Sequence, residues 1–124
     1  MLRRPTVVNR LVRNTAVAAG VKKLYEDTCQ ICGLRLETPG GAYSEAAHVR
    51  PLGTPHAGPD ALSNMLCLCP NCHVLFDNHA LTVNDEGTVL KLGIEVGKLF
   101  VKKQHALDFA HLSYQRKISE ASSH

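Results

Sequence analysis

Two Cys-x-x-Cys pairs, Cys29-Gln-Ile-Cys32 and Cys69-Pro-Asn-Cys72, constrain this chain more than any other feature of its sequence. Each pair can grip an ion through a short knuckle, and the two together complete a tetrahedral four-thiolate site of the kind zinc prefers. Closing the site ties residue 32 to residue 69, a linkage that apolar contacts alone would support weakly. With all four positions taken there is no place for water or substrate, so the expected role is structural. The fifth cysteine, Cys67, reads as a small buried hydrophobe. In an extended run it points the same way as Cys69, which makes it the alternative ligand. An odd cysteine count with paired spacing favours metal thiolates in a reducing, cytoplasmic compartment over disulfides.

A length of 124 residues suits one domain. Hydrophobic residues make up 44% but aromatic residues only 5%, with no Trp, so the core is built from Leu, Val and Ala. A structural metal would supplement so modest a core. No apolar run approaches the roughly 20 residues of a membrane span, and no apolar segment before a cleavage site marks a signal peptide. The net charge of +3 is unevenly spread. Residues 1–25 hold Arg3, Arg4, Arg10, Arg13, Lys22 and Lys23 and no acid, whereas every acidic residue lies from Glu26 onward. Such an arm suits a polyanionic partner, although a solvated basic face explains the same charges.

Apolar positions from Val8 to Leu24 follow helical spacing, and Asn14-Thr15 can cap a separate helix running to about Asp27. Residues 36–42 read as a hairpin loop, and Tyr43 to Val49 as a strand carrying His48. Residues 51–60 hold three prolines and read as an irregular loop. Asp60, Ser63 or Asn64 would open a turn before Met65-Leu-Cys-Leu-Cys, and a helix carrying His73 and Asp77 would follow the second knuckle. Leu81 to Leu92 alternates around Asn84–Gly87 as a β-hairpin. Asp108 to Lys117 reads as a helix with Phe109, Leu112 and Gln115 on one face. The expected divisions are a basic arm (1–13), a domain (14–118) and a frayed serine-rich tail (119–124).

A zinc knot does not require His48, Asn64 or His73. Taken singly, these are a strand histidine, a turn residue and a spare ligand or cap. Taken in order, with Glu-Ala-Ala-His-Val-Arg-Pro-Leu-Gly around His48, Asn-Met-Leu-Cys-Leu-Cys-Pro-Asn-Cys-His from Asn64 and then Val-Leu-Phe-Asp, they resemble the HNH or ββα-metal nucleases. The chain is similar in particular to the subgroup with two CxxC pairs, as in the HNH part of bacterial enzymes whose SRA (YDG) domain reads modified cytosine. The resemblance spans roughly residues 14–118, and residues 29–77 carry its specific part.

That resemblance implies an α+β fold with a ββα-metal core, a structural zinc on Cys29, Cys32, Cys69 and Cys72, and flanking helices. It implies a divalent-metal-dependent DNA endonuclease, with a place in restriction or defence against foreign DNA. His48 would be the general base, Asn64 would orient His48 or its strand, and His73 would hold the catalytic ion, giving a 5′-phosphate and a 3′-hydroxyl. Many members carry an Asp or His ligand just before the base, where this chain has Ala47. Asp77, one helical turn after His73, is the candidate second ligand. Glu45, on the opposite strand face from His48, is expected to support rather than bind. With few protein ligands the ion keeps waters, which suits Mg²⁺ or Mn²⁺, with Ni²⁺, Co²⁺ or Zn²⁺ as alternatives. Arg50, two residues from the base, is the first choice for a phosphate contact, ahead of Arg35, Lys22 and Lys23. The alternative function is a non-cutting, zinc-stabilised DNA-binding module, which Ala47 keeps open. Target choice would come from a homodimer or a separate recognition domain.

Overall fold

The run Met65-Leu-Cys-Leu has no polar face, and its burial explains why. In the computed structural model, which describes residues 15–122, it forms strand β4 (Met65–Leu68), every residue of which is buried. β4 pairs antiparallel with β3 (Glu45–His48), Glu45 opposite Leu68 and His48 opposite Met65. Leu66 and Leu68 face a core with Ala47, Val49, Phe76, Val83, Val89 and Leu112. Met65 and Cys67 face the other way, into a second cluster with Val21 and Tyr25. A strand covered on both faces gains nothing from alternation, so a continuous apolar run is its natural sequence.

The cover on the second face is helix α1 (Thr15–Leu24), with Val21 fully buried. The helix stops short of the expected end at Asp27, because Glu26 and Asp27 take positive φ values of 51° and 59°. The basic arm expected over residues 1–13 lies outside the described residues. After the first knuckle, β1 (Leu36–Thr38) and β2 (Gly41–Tyr43) form the short hairpin read from residues 36–42. Gln30, between the knuckle cysteines, is almost fully buried and substitutes for a strand residue. Its N–H donates to the carbonyl of Cys67 at 2.9 Å, and its Oε1 accepts the Cys67 N–H at 2.8 Å. These two bonds attach the first knuckle to the strand that leads into the second.

Helix α2 (Pro70–Asp77) begins with Pro at its first position and Cys69 as its N-cap, the Cys69 Sγ accepting the Cys72 N–H. The expected hairpin follows as β5 (Leu81–Val83) and β6 (Thr88–Lys91), turned by Asn84, whose Oδ1 accepts the N–H groups of Glu86 and Thr88. A third strand, β7 (Ile94–Lys98), extends this sheet beyond what the sequence suggested. Its apolar residues Ile94 and Val96 face solvent, so only pairing with β6 selects the strand.

Helix α3 (Phe109–Ser122) packs on β5 through buried Leu112 and Gln115. It outruns the expected boundary: residues 119–122, read as the start of a frayed tail, are helical. Ser119 is buried there, and its Oγ bonds the ring of His79 at 3.0 Å. The same Oγ accepts from Gln115 Nε2 at 3.2 Å, so the last turn of α3 is tied to the core on two sides. The architecture is the expected α+β one, with small antiparallel sheets and flanking helices.

Candidate active site and metal centre

The four paired cysteines converge. Their Sγ atoms all lie within 4.8 Å of one another, and Cys32 Sγ and Cys69 Sγ are 3.6 Å apart. A regular tetrahedron of metal–sulfur bonds of about 2.3 Å has edges of about 3.8 Å, so the quartet is the right size for one ion. Each knuckle also directs an N–H at its first sulfur, Cys32 N to Cys29 Sγ and Cys72 N to Cys69 Sγ, both at 3.4 Å. All five cysteines are free thiols. Burial and the neighbouring sulfurs push the Cys72 thiol far up, whereas N–H donors around Cys29 outweigh its burial and lower its pKa. Four thiolates cannot share this space without a cation to neutralise them, so the donor set fits a bound metal. Cys67 is not one of the four: it is buried against Met65, Val21 and Tyr25 on the α1 side of the sheet. Cys69 packs instead in the other cluster, with Cys29 and Cys72.

A second group of polar side chains gathers where β3 meets α2. His73 stands in the first turn of α2 with an acid on each ring nitrogen. Glu45 Oε1 is 2.8 Å from Nδ1, and Asp77 Oδ2 is 3.1 Å from Nε2. These carboxylates hold the imidazolium and raise the His73 pKa to about 9, Asp77 contributing most and burial opposing. Glu45 is itself lowered, by the hydroxyl of Tyr43 and then by His73. Asp77 is 55% exposed, so a site built on it would be open to water. Its 3.1 Å separation from His73 Nε2 is close to the cis edge of an octahedron with bonds of about 2.1 Å. Among the described residues, the cysteine quartet is the only group of three or more His, Cys, Asp or Glu donors close enough to share an ion. Ala47, where a ligand was expected, is buried in the core with Leu66 and Leu68.

His48 ends β3 and lines a shallow cleft with Asp77, His79, Pro51, Phe76 and Gln115. Its Nε2 lies 2.9 Å from Asp60 Oδ1, both side chains being mostly buried. The Asn64 amide bonds backbone groups rather than the His48 ring. Fully buried, it clamps the backbone on both sides of the loop that follows. Its Oδ1 accepts the Arg50 N–H at 2.8 Å, and its Nδ2 donates to the carbonyls of Arg50 and Pro59, each at 2.9 Å. Asn64 also receives the Val49 N–H on its own carbonyl. Arg50 is already engaged: its Nε donates to the carbonyl of His56 at 2.6 Å, and its guanidinium sits 4.1 Å over the Tyr114 ring. Arg35 is likewise held, by the carbonyl of Glu26 and by Glu37.

Three residues at this site were not assigned to it from the sequence. From the sequence Asp60 reads as a turn residue, because its partner is twelve positions away across an irregular loop. His79, six residues after His73, lies off the His73 helical face in the sequence. A positive φ of 68° just past the end of α2 swings it back toward the cleft. Gly58 was one loop glycine among several. A Cβ there would stand 2.2 Å from the Arg50 carbonyl oxygen and 2.9 Å from Asn64 Nδ2. The only available signal was a glycine in a loop beside the catalytic candidates.

The same stretch of chain is where known proteins match. A family model described as HNH endonuclease covers residues 29–84. The type IV methyl-directed restriction enzyme EcoKMcrA of Escherichia coli (strain K12) is 36% identical over 78 residues, covering 57% of this chain and 27% of its own. The solved structure of the modification dependent TagI restriction endonuclease superposes with a TM-score of 0.84 at 45% identity, covering 89% of this chain and 39% of that one. This chain thus spans well under half the length of either relative. Among the described residues no helix is long and apolar enough to cross a membrane. The matched stretch runs from the first cysteine knuckle through α2 into β5, and over it the chain is similar to the HNH endonuclease family.

Proposed function

We propose that this protein is a divalent-metal-dependent DNA endonuclease acting in restriction of foreign DNA, with one structural zinc on Cys29, Cys32, Cys69 and Cys72. The observation that carries the reading is that His48 and Asp77 line one cleft, with His73 bonded to Asp77. His73 Nε2 and Asp77 would hold the catalytic ion, Mg²⁺ or Mn²⁺, with waters filling its remaining positions. That ion would stabilise the charge that develops on the phosphate and the leaving oxygen. His48, as a neutral imidazole, takes a proton from water, and the water oxygen attacks phosphorus in line. The P–O3′ bond breaks and its electron pair stays on O3′, which gains a proton from solvent. The products are a 5′-phosphate and a 3′-hydroxyl. Asn64 acts on the strand and loop that carry His48, which suits the orienting role expected of it.

The restriction names of both relatives support DNA as substrate. A recognition domain or a second copy would supply target choice and the second cut, in a cytoplasmic setting where the thiolates stay reduced. Arg50 contributes to phosphate binding only if DNA displaces it from Tyr114 and His56. The alternative is a DNA-binding module that does not cut, favoured by the buried Ala47. Purified protein is incubated with supercoiled plasmid and Mg²⁺ or Mn²⁺, beside His48→Ala. Nicking by the wild type and its loss in the variant is the expected result. DNA binding without nicking in any divalent metal means the module reading is correct.

A further inference from the structure

We propose that Asp60 is the positioning residue of His48, holding its Nε2–H tautomer so that Nδ1 is the atom that takes the proton from water. The proposal rests on the nuclease reading and assigns within it which nitrogen acts and what prepares it. His48 Nε2 and Asp60 Oδ1 are 2.9 Å apart, with side chains only 14% and 21% exposed. An ionised carboxylate can only accept, so Nε2 must donate, and the lone pair of the neutral ring is left on Nδ1. Without such a partner a neutral imidazole divides itself between two tautomers, and only one presents a base in the required direction. When Nδ1 gains the proton, the carboxylate at Nε2 faces the new positive charge and stabilises it.

The pair is held from behind. Asn64 bonds the backbone at Arg50, two residues after His48, and at Pro59, immediately before Asp60. One buried amide thus fixes the segments that bring both partners into register. Gly58 lets that loop approach to where no Cβ would fit. A carboxylate placed merely to cap a loop would not need clamping on both sides of its histidine contact.

The test uses the whole chain with zinc bound. The ¹⁵N shifts of the His48 ring are read by NMR at a pH where it is neutral, in wild type, Asp60→Asn and Asp60→Ala. Plasmid nicking with Mn²⁺ is measured on the same proteins and on Asp60→Glu. The wild type should show a single Nε2–H tautomer, and Asp60→Ala a mixture. The rate at saturating DNA should fall about 10²-fold in Asp60→Ala, the lower end of what a positioned base contributes, while KM for DNA holds. Asp60→Glu should recover part of it, and the near-isosteric Asp60→Asn guards against a folding artefact. An Nδ1–H tautomer in the wild type, or a tautomer and rate unchanged in both Asp60→Asn and Asp60→Ala, overturns the proposal. If the wild type cuts nothing, or His48→Ala cuts as well as wild type, the nuclease reading fails instead, and the tautomer measurement shows that separately.

Discussion

Glu45 reaches the ring of His73 from a strand position two residues before Ala47, its Oε1 2.8 Å from Nδ1. Residues 45 and 47 share a strand face, so the side where a ligand was expected still sends one carboxylate toward α2. It reaches the far nitrogen of the imidazole, which leaves Nε2 directed at Asp77. A carboxylate on the second nitrogen fixes the tautomer of a metal-binding histidine and raises its basicity, so on the proposed nuclease reading Glu45 would make up in part for Ala47.

Removing that carboxylate should weaken the catalytic ion without dissolving the site. Glu45→Ala is expected to lower Mn²⁺ affinity about 10- to 100-fold, the usual effect of losing such a partner, with the zinc content unchanged. Calorimetric titration of Mn²⁺ into the zinc-loaded protein reads it, and an unaltered affinity would rule the role out.

If His73 holds the ion as proposed, its raised pKa makes ion binding depend on pH in a defined direction. Below about 9 the ring is protonated, so an ion must displace a proton to bind. Apparent Mn²⁺ affinity should climb by about tenfold per unit between pH 7 and 9, then level off, as expected for release of one proton. Without the ion the sign reverses. The His73 ion pairs stabilise the fold fully below pH 6.5, the ordinary histidine value, and the contribution is lost as pH rises through about 9. His73→Gln should flatten both curves, measured by titration calorimetry and by thermal melts.

The cysteine quartet should behave as a folding element. Zinc analysis should return about one ion per chain, and a strong chelator or Cys29→Ser should abolish cooperative melting, because binding free energy at such sites is folding free energy. Cys67→Ala should keep the zinc and lose only packing, at a cost of about 1 kcal/mol. Far-ultraviolet circular dichroism separates the two outcomes.

Gly58→Ala tests how tightly the loop is clamped. The added methyl meets backbone at Arg50 and the amide of Asn64, neither of which can move aside freely. A loss of about 1–3 kcal/mol is expected from such overpacking, with nicking reduced in proportion to the displacement of Asp60. Asn64→Ala should cost a similar amount by leaving buried backbone groups of Arg50 and Pro59 unpaired. Urea denaturation of both variants gives the values, and a Gly58→Ala protein as stable as wild type would mean the loop relaxes.

The parts legible in the sequence are those set by local chemistry. Two CxxC knuckles announce a four-thiolate site by spacing alone. The fully apolar β4, the Asn84–Gly87 hairpin and the pairing of His73 with Asp77 one helical turn apart follow from periodicity. Tertiary structure alone decided the rest, because it depends on distances that no local pattern encodes. An irregular loop brings Asp60 to His48, strand-to-helix packing brings Glu45 to His73, and a left-handed residue turns His79 into the cleft. Burial in the core turns Ala47 from an expected ligand position into packing, and a partner for the exposed Ile94 and Val96 makes β7 a strand. The sequence determined which groups were available for metal and proton chemistry. The fold decided which atoms of those groups face one another, since hydrogen-bond partners far apart in the chain are chosen only when the backbone between them is fixed.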